Sequence, residues 1–284
     1  MVFGRVRHNR QKVSGFLFHR RHAKHTMRVL FFDTETNGLP QNRHAPPSMT
    51  QAWPHIVQIA WELWDLSEEG LKGPERKANL LIAPRRDMKW NDEAARIHGI
   101  TPRLIKECGV SIDVGLRWFM EDVRTAQYIV CHNLAFDRNV VLAESHRLGI
   151  DPADWWPAHP DATICTMLGT KAFCAIPSPR GTPADPYKWP RLQELWEHLG
   201  RPGGEEPTWH SFQTERVQVS VPVERKWHDA ADDVACLVAC FKELRRRGKL
   251  PVRAVTPPRV PLVVSPQAAQ ASTRSQAPSR RCIQ

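Results

Sequence analysis

The sequence has no long hydrophobic run and no closely spaced cysteine pair. No stretch of about 18 apolar residues occurs in the 284-residue chain, so we expect no membrane-spanning helix. The seven cysteines are scattered, without a CxxC pair or a zinc-like cluster. This pattern favours buried thiols in a reduced, cytoplasmic protein over a disulfide framework.

Acidic residues are absent from both ends of the chain. Residues 1–27 carry seven Lys or Arg residues and residues 249–284 carry six, with no Asp or Glu in either range. The net charge of +10 therefore belongs to the ends, because the middle carries 27 basic and 30 acidic residues. Such ends are able to contact phosphate backbones in a salt-sensitive way, and solvated ends without a specific role are the alternative.

Composition divides the chain into three parts. We expect a basic, disordered N-terminal extension over 1–27, one folded domain over 28–250, and a disordered tail rich in Pro, Ser and Arg over 251–284. Met27 directly precedes the first predicted strand and is a candidate start of translation. A transit peptide in 1–27 is the weaker alternative.

Apolar strands and amphipathic helices follow one another within the folded domain. Strands are predicted at 28–35, 56–65, 78–83, 126–133 and 162–168. Helices are predicted near 91–98, 112–123, 136–149, 191–199 and 229–247. Turn-like residues at 68–70 and 72–74 join the second and third strands and indicate a partly antiparallel meander. Strands first, then alternating strands and helices, indicate a mixed α/β sheet covered by helices.

Two carboxylates stand at the end of the first strand, in the stretch VLFFDTETNGLP. Side chains alternate across a strand, so Asp33 and Glu35 point to the same face. Buried like charges repel each other unless a positive charge lies between them. The chain therefore has to supply a positive group at this position or bind one.

Two further acids stand where a functional site would place them. Asp137 lies at the junction of a predicted strand and helix, where a helix N-cap is the alternative interpretation. The last predicted helix has an apolar stripe of Val234, Leu237, Val238, Phe241 and Leu244. Asp233 lies at the edge of this stripe, toward the core, whereas Asp232 points toward water. Asp229 and Asp232 fit the first helical turn, where the helix dipole favours acids.

Four inward carboxylates suit divalent metal ions. Mg²⁺ and Mn²⁺ prefer oxygen ligands, and two such ions about 4 Å apart are able to clamp both oxygens of a phosphoryl displacement. His228, just before the last helix, is a suitable proton acceptor near neutral pH. A helix-entry histidine without a role is the alternative.

The motifs FFDTETNGL, HNLAFD and HDAADD resemble, in order and spacing, those of the DEDDh exonucleases. This DnaQ-like branch of the RNase T superfamily includes proofreading subunits of bacterial replicases and RNase T. IHGIT at 97–101 and KWPRLQELWEHLG at 188–200 are similar to stand-alone bacterial and phage members. The resemblance spans 28–248 and implies an RNase H-like fold, with a mixed five-stranded sheet flanked by helices.

The resemblance also implies metal-dependent 3′→5′ removal of nucleotides. The metal ligands of the family match, by position, Asp33, Glu35, Asp137 and Asp233. These residues would hold two Mg²⁺ or Mn²⁺ ions, and His228 would deprotonate the attacking water. The pocket for the terminal nucleotide would be lined by Thr34, Thr36, Leu39, His98, His132, Asn133 and Phe136.

One segment departs from the compact members of the family. Residues 201–227 are a long insertion with alternating valines at 217–223, so an extra strand or hairpin is expected there. It would shape substrate access beside the catalytic His, and a surface insertion without a role is the alternative. The Pro-rich residues 175–190 are interpreted as a structured loop, and Trp61 and Trp196 as core residues rather than base-stacking ones.

The expected function is removal of nucleotides from the 3′ end of single-stranded DNA, in DNA replication or repair. An RNA-trimming exoribonuclease of the same family, a catalytically silent nucleic-acid-binding module and an endonuclease of related fold are the alternatives. The expected partners are single-stranded DNA or RNA 3′ ends, together with a polymerase or another replication or repair protein. No membrane association is expected.

Overall fold

A computed structural model describes residues 27–203 and 228–250, and the backbone of residues 212–213 and 218–219. The predicted extensions 1–27 and 251–284 therefore lie outside the described residues, except for Met27. Most of the insertion at 201–227 lies outside them as well. None of the helices in the described part combines the length and the apolar content that crossing a bilayer requires.

Five strands form one mixed sheet, which confirms the predicted α/β class. They are β1 (Met27–Thr36), β2 (Ile56–Ser67), β3 (Gly70–Leu81), β4 (Tyr128–Cys131) and β5 (Thr163–Cys165). Their order is β3-β2-β1-β4-β5, with antiparallel pairs from β3 to β1 and parallel pairs from β1 to β5. Parallel neighbours run in one direction, so the carboxyl ends of β1 and β4 lie at the same edge of the sheet.

The described part of the chain contains seven α-helices and two short hairpins. The helices are α1 (Asp92–His98), α2 (Pro102–Cys108), α3 (Ile112–Thr125), α4 (Leu134–Arg147), α5 (Thr166–Cys174), α6 (Leu192–His198) and α7 (Ala230–Arg246). The hairpins pair β6 (Pro177–Thr182) with β7 (Asp185–Tyr187), and β8 (Phe212–Gln213) with β9 (Gln218–Val219). The hairpin expected in the insertion is therefore present, although it begins before the alternating valines.

The third strand differs from its prediction. It begins at Gly70 rather than at 78, and the turn predicted at 72–74 lies inside it. The reason is that β3 is an edge strand whose register with β2 shifts at this point, between Lys72 and Arg76, so Pro74 interrupts no regular ladder pair. A proline that breaks a central strand is tolerated at this position.

Two helices also correct the prediction. The strand predicted at 162–168 ends at Cys165, and the same apolar run continues as α5, because a short apolar run suits either structure. Helix α2 is absent from the prediction, although its signals are present. The Thr101 hydroxyl accepts a hydrogen bond from the Leu104 N–H at 3.2 Å, and Pro102 stands at the first helical position.

Both faces of β1 are buried, which makes this strand the centre of the fold. Leu30 and Phe32 belong to the cluster formed with α3 and α4, whereas Val29 and Phe31 pack against α7. The ring of Phe31 lies 5.0 Å from that of Phe241 in an edge-to-face arrangement. Burial of each such side chain stabilises the fold by about 1.5–3 kcal/mol. The sheet is therefore enclosed between α3 and α4 on one face and α7 on the other.

Candidate active site

The two carboxylates at the end of β1 face α7. Asp33 and Glu35 continue the alternation of Val29 and Phe31, whose side chains pack against that helix. Both carboxylates are half-buried. Strand alternation, extended from the apolar core into the polar end of β1, therefore aims both acids at α7.

Helix α7 contributes a third acid and the entry histidine. Ligand atoms of Glu35, His228 and Asp233 all lie within 4.8 Å of one another. Asp229 is the N-cap of α7, and its carboxylate accepts a hydrogen bond from the Ala231 N–H at 2.9 Å. This cap fixes the start of the helix, and with it the position of Asp233 in the first turn.

Asp137 reaches the same edge from α4. Its Oδ1 accepts hydrogen bonds from the Thr34 hydroxyl at 2.6 Å and the Thr34 N–H at 3.1 Å, and its Oδ2 lies 3.4 Å from the Cys131 thiol. Ligand atoms of Asp33, Cys131 and Asp137 lie within 4.8 Å of one another. Asp137 is not an N-cap, because Asn133 occupies that position with a left-handed φ of 65°.

Burial raises the pKa of all four acids, and the charges of neighbouring acids add to the shift in Asp33, Glu35 and Asp233. Burial, followed by the charges of neighbouring acids, raises the pKa of Asp233 to about 7. Burial raises the pKa of Asp137 to about 6, although the hydrogen bonds from Thr34 oppose the shift. Burial, followed by the charges of neighbouring acids, also raises the pKa values of Asp33 and Glu35 well above their usual range. The fully ionised set is therefore unstable without a cation.

His228 stands beside these acids in a strained conformation. It is exposed and has a φ of 81°, a left-handed value that residues other than glycine seldom adopt. Although the residue as a whole is exposed, partial burial of the ring, together with the positive charge of Arg191, lowers its pKa. The imidazole is therefore neutral near pH 7 and able to accept a proton.

Gln58 of β2 connects α7 to the sheet. Its side chain is fully buried, and its residue lies opposite Glu35 in the β1/β2 register. The Gln58 amide donates hydrogen bonds to Asn79 Oδ1 at 2.9 Å and to Asp229 Oδ2 at 3.0 Å, and its Oε1 accepts one from the Ala230 N–H at 3.2 Å. The start of α7 is therefore held directly by the central strands.

The predicted nucleotide-pocket residues near β1 lie in different environments. Thr34 is buried with its hydroxyl on Asp137, and the Thr36 hydroxyl donates to the Gly38 carbonyl at 2.7 Å. His98 is 7% exposed, and burial lowers its pKa, with Thr36 opposing the shift and His228 adding to it. Thr36, His98 and His228 are therefore neighbours. Leu39 is 85% exposed.

The predicted pocket residues after β4 are used in other ways. His132 Nδ1 lies 2.9 Å from the Thr166 hydroxyl, and its Nε2 lies 3.0 Å from the Pro190 carbonyl, which requires a proton on Nε2. Burial lowers its pKa to about 4, so the ring is neutral. Asn133 is exposed, and Phe136 packs against the main core cluster. Both nitrogens of His132 therefore bind within the protein.

The donor chemistry of the site fits hard divalent cations. Three separate elements, β1, α4 and α7, bring four carboxylates to one edge of the sheet, and Mg²⁺ and Mn²⁺ prefer such oxygen donors. The Cys131 thiol adds one sulfur to the Asp33 side of this group. The raised pKa values indicate that a cation would relieve the repulsion between these acids.

Two residues that contribute to this site, Cys131 and Gln58, were not predicted from the sequence. Cys131 directly precedes the HNLAFD motif, and its position on a strand next to that motif was the available signal. Gln58 stands at a polar position of an alternating strand, which predicts exposure. Its burial follows from helix α7 covering that face of the sheet, which a single strand does not reveal.

Comparisons with known proteins identify the fold. No protein-family profile and no curated protein matches the sequence. Exonuclease I of Methylocaldum szegediense superimposes with a TM-score of 0.54 at 20% identity, covering 78% of this chain and 41% of that chain. E. coli exonuclease I in complex with a dA16 oligonucleotide superimposes with a TM-score of 0.53 at 20% identity, again covering 78% of this chain and 41% of that chain. The zinc-bound E. coli exonuclease I–single-stranded DNA complex gives 0.52 at 21%.

This chain spans about two fifths of the exonuclease I chains that it matches, since it covers 41% of their length. At 20% identity the likeness concerns the fold. The order of the five strands and the helices on both faces agree with that likeness. The chain therefore shares the RNase H-like α/β fold of exonuclease I.

Proposed function

We propose that this protein is a metal-dependent 3′→5′ exonuclease that removes nucleotides from the 3′ end of single-stranded DNA. The observation that carries the proposal is the convergence of four acids from three sequence motifs, with His228 beside them. Acids this crowded destabilise an empty site, so a bound cation explains why the fold keeps them together. The fold shared with exonuclease I supports the same class of reaction.

The chain supplies the groups that phosphodiester hydrolysis requires. Two Mg²⁺ or Mn²⁺ ions would be held by Asp33, Glu35, Asp137 and Asp233. Such ions, when bound, neutralise the phosphate and stabilise both the attacking and the leaving oxygen. A ring nitrogen of His228 would accept the proton of the attacking water. Thr34 would keep Asp137 in position through its two hydrogen bonds.

The terminal nucleotide would enter between the end of β1 and α1. Thr36 and His98 meet His228 at this place, and the exposed side chain of Leu39 would contact the terminal base. Asn133, exposed at the start of α4, would contact the same nucleotide. His132 and Phe136 would act indirectly, since one binds Pro190 and the other packs in the core.

Single-stranded DNA is the favoured substrate. Among the structures of like fold, E. coli exonuclease I is described in complexes with dA16 and dT13 oligonucleotides. Such a role would place the protein in DNA replication or repair in the cytoplasm, where a polymerase or another repair protein would be its partner. The RNA alternative differs in contacts to the 2′-hydroxyl, so the substrate test must include both nucleic acids.

The test is a time course on 5′-labelled single-stranded DNA and matched RNA, with Mg²⁺, with Mn²⁺ and with EDTA. A metal-dependent ladder that shortens from the 3′ end, faster on DNA, is the expected result. A ladder on RNA alone would mean that the substrate is RNA and not DNA. Tight binding without cleavage would mean that the protein is a nucleic-acid-binding module and not a nuclease. Cleavage of a closed circular strand would identify an endonuclease instead.

His228→Ala is expected to slow the reaction by about 10²–10⁴-fold, the usual contribution of a general base, with little change in substrate binding. Single-turnover rates on labelled DNA measure the loss. The matched control is His159→Ala, because His159 is exposed and precedes β5 at the opposite edge of the sheet. Equal rates for both variants would remove His228 from the proposed chemistry.

A further inference from the structure

The hairpin formed by β6 and β7 exposes two aromatic rings. Trp189 is 54% exposed and Tyr187 is 36% exposed, whereas Trp61 and Trp196 are 2% and 5% exposed. Burial of a large apolar side chain is worth about 1.5–3 kcal/mol, which an exposed Trp forgoes. The predicted structured loop at 175–190 is thus a hairpin that presents apolar rings to the solvent.

The two rings share one side of an extended segment. Tyr187 is the last residue of β7, and the Lys188 N–H donates to the Ile176 carbonyl at 2.9 Å, which continues the pairing past the strand end. Residues two apart on an extended segment point the same way. Tyr187 and Trp189 therefore form one surface, which we call the aromatic pair.

The aromatic pair is attached to the candidate active site. His132 Nε2 donates to the carbonyl of Pro190, the residue that directly follows Trp189, at 3.0 Å. His132 itself lies between β4 and the helix that carries Asp137. On the other side of Pro190, the charge of Arg191 acts on the His228 ring. The hairpin thus ends between two of the motifs that build the site.

The segment that carries the aromatic pair is basic, in contrast to the acidic site beside it. Residues 171–191 contain Lys171, Arg180, Lys188 and Arg191 and a single acid, Asp185. The Lys171 ammonium lies 5.5 Å from the centroid of the Trp189 ring and 2.6 Å from Asp185 Oδ1. The middle of the chain as a whole is slightly acidic. Two of these cations are ion-paired, Lys171 with Asp185 and Lys188 with Glu194 just beyond the segment, so the positive charge near the rings is partly balanced.

We propose that Tyr187 and Trp189 stack on bases of the substrate strand upstream of its terminal nucleotide, while Lys171 and Arg191 contact its phosphates. Exposed aromatic rings interleaved with basic side chains are the common means of binding single-stranded nucleic acids without sequence preference. The aromatic pair would guide a strand toward the carboxylates. This inference rests on the proposed nuclease function, because it names the path of that substrate.

The test separates strand binding from cleavage. Affinity for an oligodeoxythymidylate of about 12 nucleotides is measured in EDTA, and turnover of the p-nitrophenyl ester of thymidine 5′-monophosphate is measured with metal. Trp189→Leu, which keeps apolar bulk but removes the aromatic face, is expected to weaken oligonucleotide binding by about 5- to 100-fold. Its turnover of the small ester is expected to equal that of the wild type, since the ester reaches only the terminal-nucleotide pocket.

Matched variants identify the cause of the loss. Trp189→Phe retains an aromatic face and is expected to bind close to wild type, whereas Tyr187→Leu is expected to weaken binding as Trp189→Leu does. Lys171→Gln is expected to lower the slope of log affinity against log salt by about 1. Lys72→Gln, which removes a lysine paired with Glu69 near the β2–β3 turn at the far end of the sheet, is expected to leave that slope unchanged.

The strand-binding surface and the nuclease activity are tested separately. Equal oligonucleotide affinities for wild type and Trp189→Leu would overturn the aromatic pair as a strand-binding surface. The same equality, accompanied by a lower molecular mass of the variant in light scattering, would assign the surface to contacts between protein copies instead. Loss of binding in Trp189→Leu, with no cleavage by the wild type, would support the surface and reject the nuclease proposal.

Discussion

Asp33→Asn is expected to lower the rate of 3′-end trimming by about 10³-fold or more while the fold is retained. Asp33 is the acid whose pKa is raised by every other carboxylate of the site, so it lies at the centre of the cluster. Metal ions stabilise the transition state of phosphoryl transfer by several kcal/mol, and each 1.36 kcal/mol is a factor of ten in rate. Removal of one central negative charge without a change of shape tests this contribution directly.

The measurement is the single-turnover rate on labelled DNA at saturating Mg²⁺, with circular dichroism to verify folding. Glu121→Gln is the matched control, because Glu121 is an exposed acid on α3, away from the carboxylates. It is expected to leave the rate unchanged. Full activity in Asp33→Asn would mean that the acidic cluster is not the catalytic site.

The metal-free protein is expected to lose stability as the pH rises, and Asp233→Asn is expected to suppress much of this loss. A carboxyl whose pKa is raised from 3.8 to about 7 on folding holds its proton more tightly in the folded state. The loss of folding stability that ionisation of this group causes is therefore absent below the unfolded pKa and grows until the pH passes the folded pKa. Once this group is ionised, the cost reaches up to about 4 kcal/mol.

Urea unfolding in EDTA, at about pH 5 and about pH 8, measures the effect. The stability difference between Asp233→Asn and wild type is expected to be larger at the higher pH, because only the wild type bears the cost of ionising Asp233 there. Comparison at each pH cancels the titrations that the two proteins share. Mg²⁺ at the higher pH is expected to stabilise the wild type more than the variant. A difference that does not depend on pH would show that folding does not raise the pKa of Asp233. Glu121→Gln again serves as the control.

Much of the sheet was predictable, because alternation and apolar runs depend on local sequence. Strand β1 and the stripe of α7 bury the faces that their patterns indicate, whereas β2 is buried on both faces although its pattern alternates. The errors occur where sequence pattern is ambiguous or where context decides. The run that begins at Thr163 suits a strand or a helix, and β3 extends across Pro74 because it is an edge strand whose register shifts there.

The proximity of Asp33, Glu35 and Asp233 was predictable from strand alternation and helix face, whereas Asp137 was placed beside them only by the resemblance of its motif. The contacts that hold these acids in place were not predictable. The bond of Thr34 to Asp137 and the reach of Gln58 to Asp229 join residues that are 103 and 171 positions apart in the chain. The exposure of Trp189 was equally hidden, because a Trp in a Pro-rich segment looks the same in sequence whether it is covered or not.

The anchoring of α7 by Gln58 makes the position of Asp233 independent of the segment that precedes it. The buried Gln58 amide donates one hydrogen bond to Asp229 and accepts one from Ala230, and these two bonds fix the start of the helix to β2 without a contribution from the link between α6 and α7. Doubling the length of a flexible link costs only about 0.6 kcal/mol. The position of Asp233 relative to the central strands is therefore expected to tolerate changes in the length of the link between α6 and α7.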